Sequence, residues 1–353
     1  MPNIIHSGGG VNIMTLPDQI TNLACVGGTD GTAGTIDVSF TEVSSTSWSL
    51  LQNYLLVYKA GSIPQTPFDG TRIVLPKGTA GAQKTYKITG LTYNQIYGLR
   101  VYPVSTKYQQ QTAAEGATAT ATPVNGIKAS SFTTSTKIKL NVGGVPKKYL
   151  IVNQGKPSSL YDESCNGTWA LMEDIYENRQ WHSSNVNDYA NSTIHSFLNS
   201  TFLNLFDTNI RNVIKPVKIP YRPGSGTSGT INSGANGLSC KIFLLSGYEV
   251  GWTTSYNSSL PIDGAKLSYF YLGTDTTANN RRIAYFNSSS AYWWLRSPRI
   301  SNSQVAWSIA GNGTLQNVFE CSEYSDGIRP ALILPSNMLF NPTPDADGCY
   351  IPI

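Results

Sequence analysis

Over the first third of the chain, apolar and polar residues alternate with a period of two. Gly34-Thr35-Ile36-Asp37-Val38-Ser39-Phe40 puts an apolar side chain at every second position, the pattern of a strand with one buried face. Residues 53–58, 84–88, 97–104 and 117–122 read as further strands, set apart by Gly, Asn and Ser turns and closed by Pro123. Short strands at this spacing predict an all-β sandwich over residues 17–124, preceded by an N-terminal segment, 1–16.

The pattern changes after the short linker 124–126. Strands are expected at 137–140, 148–152, 168–172 and 241–245. Between the last two, the apolar spacing becomes helical. Ile194, Phe197 and Leu198 share one face, and Ser192 stands at the capping position. Further short helices are expected at 201–206 and 209–214, the latter capped by Asp207, and a Gly/Ser-rich mobile loop at 222–237. Few helices and strands among irregular stretches predict an α+β domain over 125–353.

Composition narrows the function. Charged residues make up only 13% of the chain, against about 25% in a typical soluble domain. Solubility then rests on Ser, Thr, Asn and Gly, which suits an extracellular or virion setting. The net charge of +4 includes no run of Lys or Arg, which argues against nucleic acid as a partner. The pairs Lys147-Lys148 and Arg281-Arg282 read as solvated faces. The N-terminus has no secretory signal pattern, and no apolar run is long enough to span a bilayer, so no membrane insertion is expected.

Catalytic chemistry is hard to find. Five cysteines stand far apart without a C-x-x-C; buried free thiols are the expected reading, with one bridge among Cys165, Cys240, Cys321 and Cys349 left open. His6, His182 and His195 have no metal-ligand spacing, and Asp345-Ala346-Asp347-Gly348 reads as a plain turn. There is no G-x-S-x-G elbow and no phosphate loop. No cofactor, no metal and no enzymatic activity are expected.

Two stretches carry resemblances. Leu16-Pro17 together with Gly90-Leu91-Thr92-Tyr93-Asn94-Gln95-Ile96-Tyr97 resembles the fibronectin type III pattern, an Ig-like sandwich. That resemblance implies that Leu91 plugs the core and Tyr97 bonds back to the backbone. Phe40 stands where the family usually has Trp. Farther on, Gly167-Thr168-Trp169-Ala170-Leu171-Met172, then Cys240 through Gly251, then Trp293-Trp294-Leu295-Arg296-Ser297-Pro298 with Gly327-Ile328-Arg329-Pro330-Ala331-Leu332 resemble an uncharacterised bacterial and phage domain family. The family's W-W-L-R-S-P … G-I-R-P-A-L signature implies a C-type-lectin-like fold. The tryptophans would fill the core, and Arg296 and Arg329 would tie loops to carbonyls or to Glu249.

Between the two halves of that signature, residues 299–326 read as a polar hairpin. Strands at 305–309 and 314–319 flank the turn Ala310-Gly311-Asn312-Gly313. A fixed frame around a polar insert is similar to retroelement-diversified variable proteins of phages and bacteria, whose lectin-fold domain carries a C-terminal variable segment. Alternation would turn Trp307 and Ile309 inward and Gln304, Ser308 and Ala310 outward. The expected ligand-binding residues are Arg299, Ile300, Asn302, Gln304, Ser308, Ala310, Asn312, Gln316, Asn317, Phe319, Glu320 and Tyr324.

The resulting expectation is a non-catalytic receptor-binding protein of a phage tail or virion, or of a cell surface. It would attach to a host cell-surface protein or glycan. Other tail proteins are further partners, and the oligomeric state stays open, a trimer included. Two readings compete with it: a structural tail or baseplate decoration protein without its own receptor, and a cysteine-dependent oxidase of the same fold.

Overall fold

The computed structural model describes residues 3–7, 10–14, 16–28, 34–106, 116–224, 229–316, 319–324 and 326–353. The chain divides into two compact units, Met1–Gly126 and Ile127–Ile353.

Seven strands build the sandwich of the first unit: β1 (Thr21–Gly27), β2 (Ile36–Thr41), β3 (Leu51–Ala60), β4 (Thr71–Pro76), β5 (Gln83–Ile88), β6 (Tyr97–Ser105) and β7 (Ala117–Ala121). They form two sheets, ordered β1-β2-β5 and β4-β3-β6-β7. Ahead of them Asn3–Ser7 and Gly10–Met14 pair antiparallel. The alternation in β2 does what the pattern predicts: Ile36, Val38 and Phe40 are buried against Tyr54, Leu56, Leu99 and Val101. The turn before β6 closes as a tyrosine corner. The Thr92 N–H donates to the Tyr97 hydroxyl at 3.1 Å, and Leu91 packs on the core. The first unit is a fibronectin type III-like sandwich, and Phe40 fills the usual Trp position with its ring 5.0 Å from that of Tyr54.

The second unit is mostly sheet. One sheet has six strands in the order β12-β17-β10-β9-β8-β18: β8 (Lys137–Val142), β9 (Val145–Gln154), β10 (Thr168–Met172), β12 (Ile242–Phe243), β17 (Ala331–Leu334) and β18 (Cys349–Tyr350). The other has five, ordered β11-β16-β13-β14-β15: β11 (Glu177–Asn178), β13 (Trp293–Pro298), β14 (Ala306–Ile309), β15 (Leu315–Gln316) and β16 (Gly327–Ile328). The α-helices among the described residues are short: α1 (Thr193–Phe197), α2 (Thr208–Val213) and α3 (Thr276–Asn280). Helix α1 starts as expected, with the Ser192 hydroxyl accepting from the His195 N–H at 3.2 Å. It then continues through a π-turn and a 3-10 turn as far as Leu205. Asp207 precedes α2 without capping it by side chain; its carboxylate accepts instead from the Asn141 amide at 3.0 Å. The α+β expectation for this half is therefore met only as a β-rich domain with few, short helices.

Strand β13 explains the packing. Successive side chains of a strand point to opposite faces, so Trp293 and Trp294 enter two different cores. Trp293 packs with Trp169, Phe243 and Trp307, while Trp294 packs with Trp181, Tyr189 and Leu332. Each indole N–H is satisfied: Trp293 donates to the Arg282 carbonyl and Trp294 to the Arg179 carbonyl, both at 2.9 Å. The five-stranded sheet is thus covered on both sides at its centre.

That coverage overturns the expected exposure of Ser308 and Ala310. Strand β14 pairs with β13 (Trp294 opposite Ser308), so it lies between the same two cores. Ser308 is 1% exposed and Ala310 is also buried, alongside Trp307 and Ile309. Alternation separates a wet face from a dry one only where one face is wet. The adjacent tryptophans of the neighbouring strand already show that neither face is.

Replacing Tyr97 with Phe removes the corner bond alone and is expected to cost the sandwich about 1 kcal/mol. Amide hydrogen exchange in β2, β3 and β6 of the full chain reads this as roughly fivefold faster global opening, with the second unit unchanged.

Candidate functional site

At the middle of β13, Arg296 is fully enclosed and uses all five of its N–H donors. Nε donates to the Pro220 carbonyl at 3.1 Å, and Nη1 and Nη2 reach the carbonyls of Leu244 and Asp263 at 3.0 and 2.9 Å. The remaining two donors form a bidentate pair with Glu249 at 2.6 and 2.7 Å. The Glu249 carboxylate also accepts from the Tyr161 hydroxyl at 2.7 Å and the Ser246 N–H at 2.8 Å. Burial pulls the Arg296 pKa down, but the facing carboxylate outweighs it and holds the guanidinium above its ordinary value. Beside the pair, burial raises the Asp263 carboxyl to about 7 against the opposing pull of Arg296, and Asp263 accepts from the Ser297 hydroxyl. Arg329 is buried too. Its Nε donates to the Met172 carbonyl at 2.8 Å, and its guanidinium lies 5.0 Å from the Trp293 ring centre. These are scaffold roles, as the sequence pattern implied.

The loop after β13 is held from beneath. Asn187, fully buried, donates its side-chain amide to the carbonyls of Arg299, Asn302 and Val305 at 3.1, 2.8 and 2.8 Å. Its own N–H donates to the Ser303 carbonyl at 2.7 Å. Arg299, Ile300 and Asn302 are half-buried and Gln304 is exposed. The Ile300 N–H donates to the Ser259 carbonyl at 3.0 Å, which brings the 257–262 loop alongside. Glu320 joins this end through its bridge to Val305 and accepts from the Asn185 amide. Tyr324 follows in the same segment and is 65% exposed.

The other expected contacts lie elsewhere. Asn312 is exposed at the far end of β14, where its side-chain amide oxygen accepts from the N–H and hydroxyl of Thr314. Gln316 is half-buried and donates to the Thr314 hydroxyl at 3.2 Å. Phe319 is half-buried, packed on the core and edge-on to Tyr292 at 5.3 Å. Asn317 lies outside the described residues. The expected single face therefore breaks up around a buried strand: Arg299, Ile300, Asn302, Gln304 and Glu320 lie at one end, Asn312 in the turn beyond the other, and Gln316 on the edge strand β15 opposite Ser308.

A second structured surface was missed. Arg282, expected on a solvated face, is fully buried. It donates to the carbonyls of Val250 at 2.7 Å, Tyr271 at 2.8 Å and Gly273 at 3.0 Å, and to the Asn279 side chain at 3.0 Å. Two loops, 250–256 and 271–275, are thereby fixed. A cluster of four tyrosines (Tyr248, Tyr256, Tyr269, Tyr271) in a polar stretch was the available signal.

Burial raises the thiols of Cys165 and Cys321 to about 12, and that of Cys240 higher still. Such thiols stay protonated and are poor nucleophiles at neutral pH. A cavity of about 410 Å³ near the C-terminal residues has polar walls that are already engaged: Lys139 holds Asp345 and Asp347, and Asn141 holds Asp207. Among the described residues, no cluster of three His, Cys, Asp or Glu side chains could hold a metal ion.

Two substitutions test this arrangement. Glu249→Gln leaves a buried guanidinium without its counter-charge, and thermal unfolding is expected to show a loss of about 3–5 kcal/mol. The Ser308 hydroxyl is buried without a hydrogen-bond partner among the described residues. Ser308→Ala is therefore expected to leave the melting temperature unchanged or raise it. Ser308→Tyr overfills the site and lowers stability by more than about 2 kcal/mol. Equal tolerance of both would mean that Ser308 faces solvent.

A family profile described as a domain of unknown function (DUF6273) matches residues 166–336. That span takes in β10 through β17 and encloses the Arg296 frame. No curated protein matches the chain. Among solved structures, the FN3 domain of human collagen XX is similar at 23% identity with a TM-score of 0.22, over 31% of this chain and 92% of that one. Astrotactin-2, described as a conserved vertebrate-specific and perforin-like membrane protein involved in neuronal development, is similar at 13% identity with a TM-score of 0.25. That match covers 35% of this chain and 24% of that one. The chain thus joins a fibronectin type III-like sandwich to a domain similar, over residues 166–336, to a family whose description assigns no function.

Proposed function

We propose that this is a non-catalytic recognition protein, in which the second unit serves as a C-type-lectin-type scaffold and the sandwich as a spacer or docking module. The observation that carries the reading is the anchoring of the 299–305 loop. Its carbonyls are held by a buried asparagine, while Gln304 and the nearby Tyr324 present exposed side chains. Side chains there can change without disturbing what holds the backbone. That is the property a variable surface needs, and Tyr, Asn, Gln and Arg are residue types that make adaptable contacts. The recognition surface is accordingly the loops at the ends of β14, not the strand between them. A phage tail or virion protein that attaches to a host-surface protein or glycan fits this reading, as does diversification of the codons for exposed positions such as Gln304 and Tyr324. The protonated, buried thiols favour it over a cysteine-dependent oxidase.

Binding of the full chain to host cells tests the proposal. The triple variant Arg299→Ala, Gln304→Ala, Tyr324→Ala is expected to lose at least about tenfold in cell binding with its melting temperature held. Unchanged binding by this folded variant overturns the assignment to these loops. A chain that enters particles but whose removal leaves adsorption intact is a decoration protein instead.

A further inference from the structure

We infer that Tyr256, Tyr271 and Leu272 form a stacking platform for a neutral glycan, on loops that the buried Arg282 holds in place. This rests on the recognition reading and gives it a ligand class at a second face. The three side chains are 44%, 45% and 54% exposed, yet the loops that carry them are tightly fixed. Arg282 binds the carbonyls of Tyr271 and Gly273 on one loop and that of Val250 on the other. Its guanidinium also lies 4.4 Å from the centre of the Trp252 ring, which meets Tyr256 edge-on at 5.2 Å. The loops close on each other. A Cβ built at Gly251 would fall 2.2 Å from the Tyr271 carbonyl oxygen, and one at Gly273 would fall 3.6 Å from the Tyr256 hydroxyl. Aromatic rings held in place before binding lose little conformational entropy when a ligand stacks on them.

The charged groups beside the rings are already engaged in hydrogen bonds. Asp275 accepts from the Ala278 N–H at 2.9 Å as the cap of α3. Arg281 lies between Tyr269 and Tyr271, 4.7 and 5.1 Å from their ring centres, and donates to the hydroxyls of Ser135 and Tyr271. What remains is hydroxyl and amide: Thr253, Thr254, Ser255 and Asn257. The turn at Gly313 packs against α3, and its Cβ position lies 2.1 Å from the Asn279 carbonyl oxygen, which puts the exposed Asn312 beside that helix. A sugar ring offers a C–H face of phenol size, rimmed by hydroxyls that match such neighbours. A protein partner needs about 800 Å² of complementary surface with an apolar centre, and an anionic lipid or nucleic acid needs a cluster of cations, whereas Arg281 directs its donors to the hydroxyls of Ser135 and Tyr271.

The test is retention of the full chain on an array of immobilised neutral oligosaccharides of glucose, galactose, mannose and N-acetylglucosamine, run alongside host-cell binding. At least one oligosaccharide class is expected to be retained. Tyr256→Ala and Tyr271→Ala should each weaken retention about tenfold or more, equal to about 1.4 kcal/mol. Tyr271→Phe keeps the ring and should stay within about threefold, and Tyr93→Ala in the first unit should change nothing. Leu272→Ala, which removes no ring contact to the core, provides a second reading if either tyrosine variant fails to fold. Retention of no oligosaccharide, or equal retention by the alanine variants, overturns the inference. Cell binding without glycan retention overturns it while leaving the recognition reading standing, and names a protein receptor. Absence of both overturns both.

Discussion

The second unit depends on keeping one buried positive charge fully satisfied. An isolated guanidinium in a dry interior costs many kcal/mol, and removing one partner of a buried pair typically costs about 3–5. Arg296 avoids the penalty because three separate stretches of chain converge on it: Pro220, the segment from Leu244 to Glu249, and Asp263. None of these can move without stranding a donor. Because Arg296 lies in mid-strand on β13, the same constraint fixes where that strand sits, and with it the two tryptophans that organise both cores.

A related device recurs at the surface. Asn187 and Arg282 are both buried, and both spend their donors on the carbonyls of loops rather than on ligands. Holding loops by their backbone shifts much of the structural task from exposed side chains to buried ones. Two faces built in this way, one around 299–304 and one around 256 and 271, lie on a domain whose thiols are chemically quiet. The proposed recognition role rests on that combination.

The sandwich was legible in the sequence where its strands alternate in burial: alternation in β2 and the Leu91/Tyr97 spacing translate directly into burial and a corner bond. In the second unit, the Trp-Trp-Leu-Arg block and the partnership of Arg296 with Glu249 were also legible, because a buried guanidinium must find hydrogen-bond acceptors and Glu249 lies in the neighbouring block of the pattern. The orientation of β14 was not. Its Ser308 and Ala310 look like surface residues until the strand is seen to lie beside Trp293 and Trp294. Arg282 and Asn187 escaped for a different reason. The carbonyls they bind lie 9 to 118 residues away, and nothing in local spacing marks a polar residue as a buried donor.

The tryptophan pair on β13 carries a consequence for how such a gene can change. Inserting or deleting one codon within that strand would exchange the destinations of Trp293 and Trp294 and rotate Arg296 away from Glu249 in the same step. Length variation is therefore confined to segments beyond the strand's ends. Related chains should keep an invariant spacing from the first tryptophan to the proline while differing freely in the size of the loop that follows.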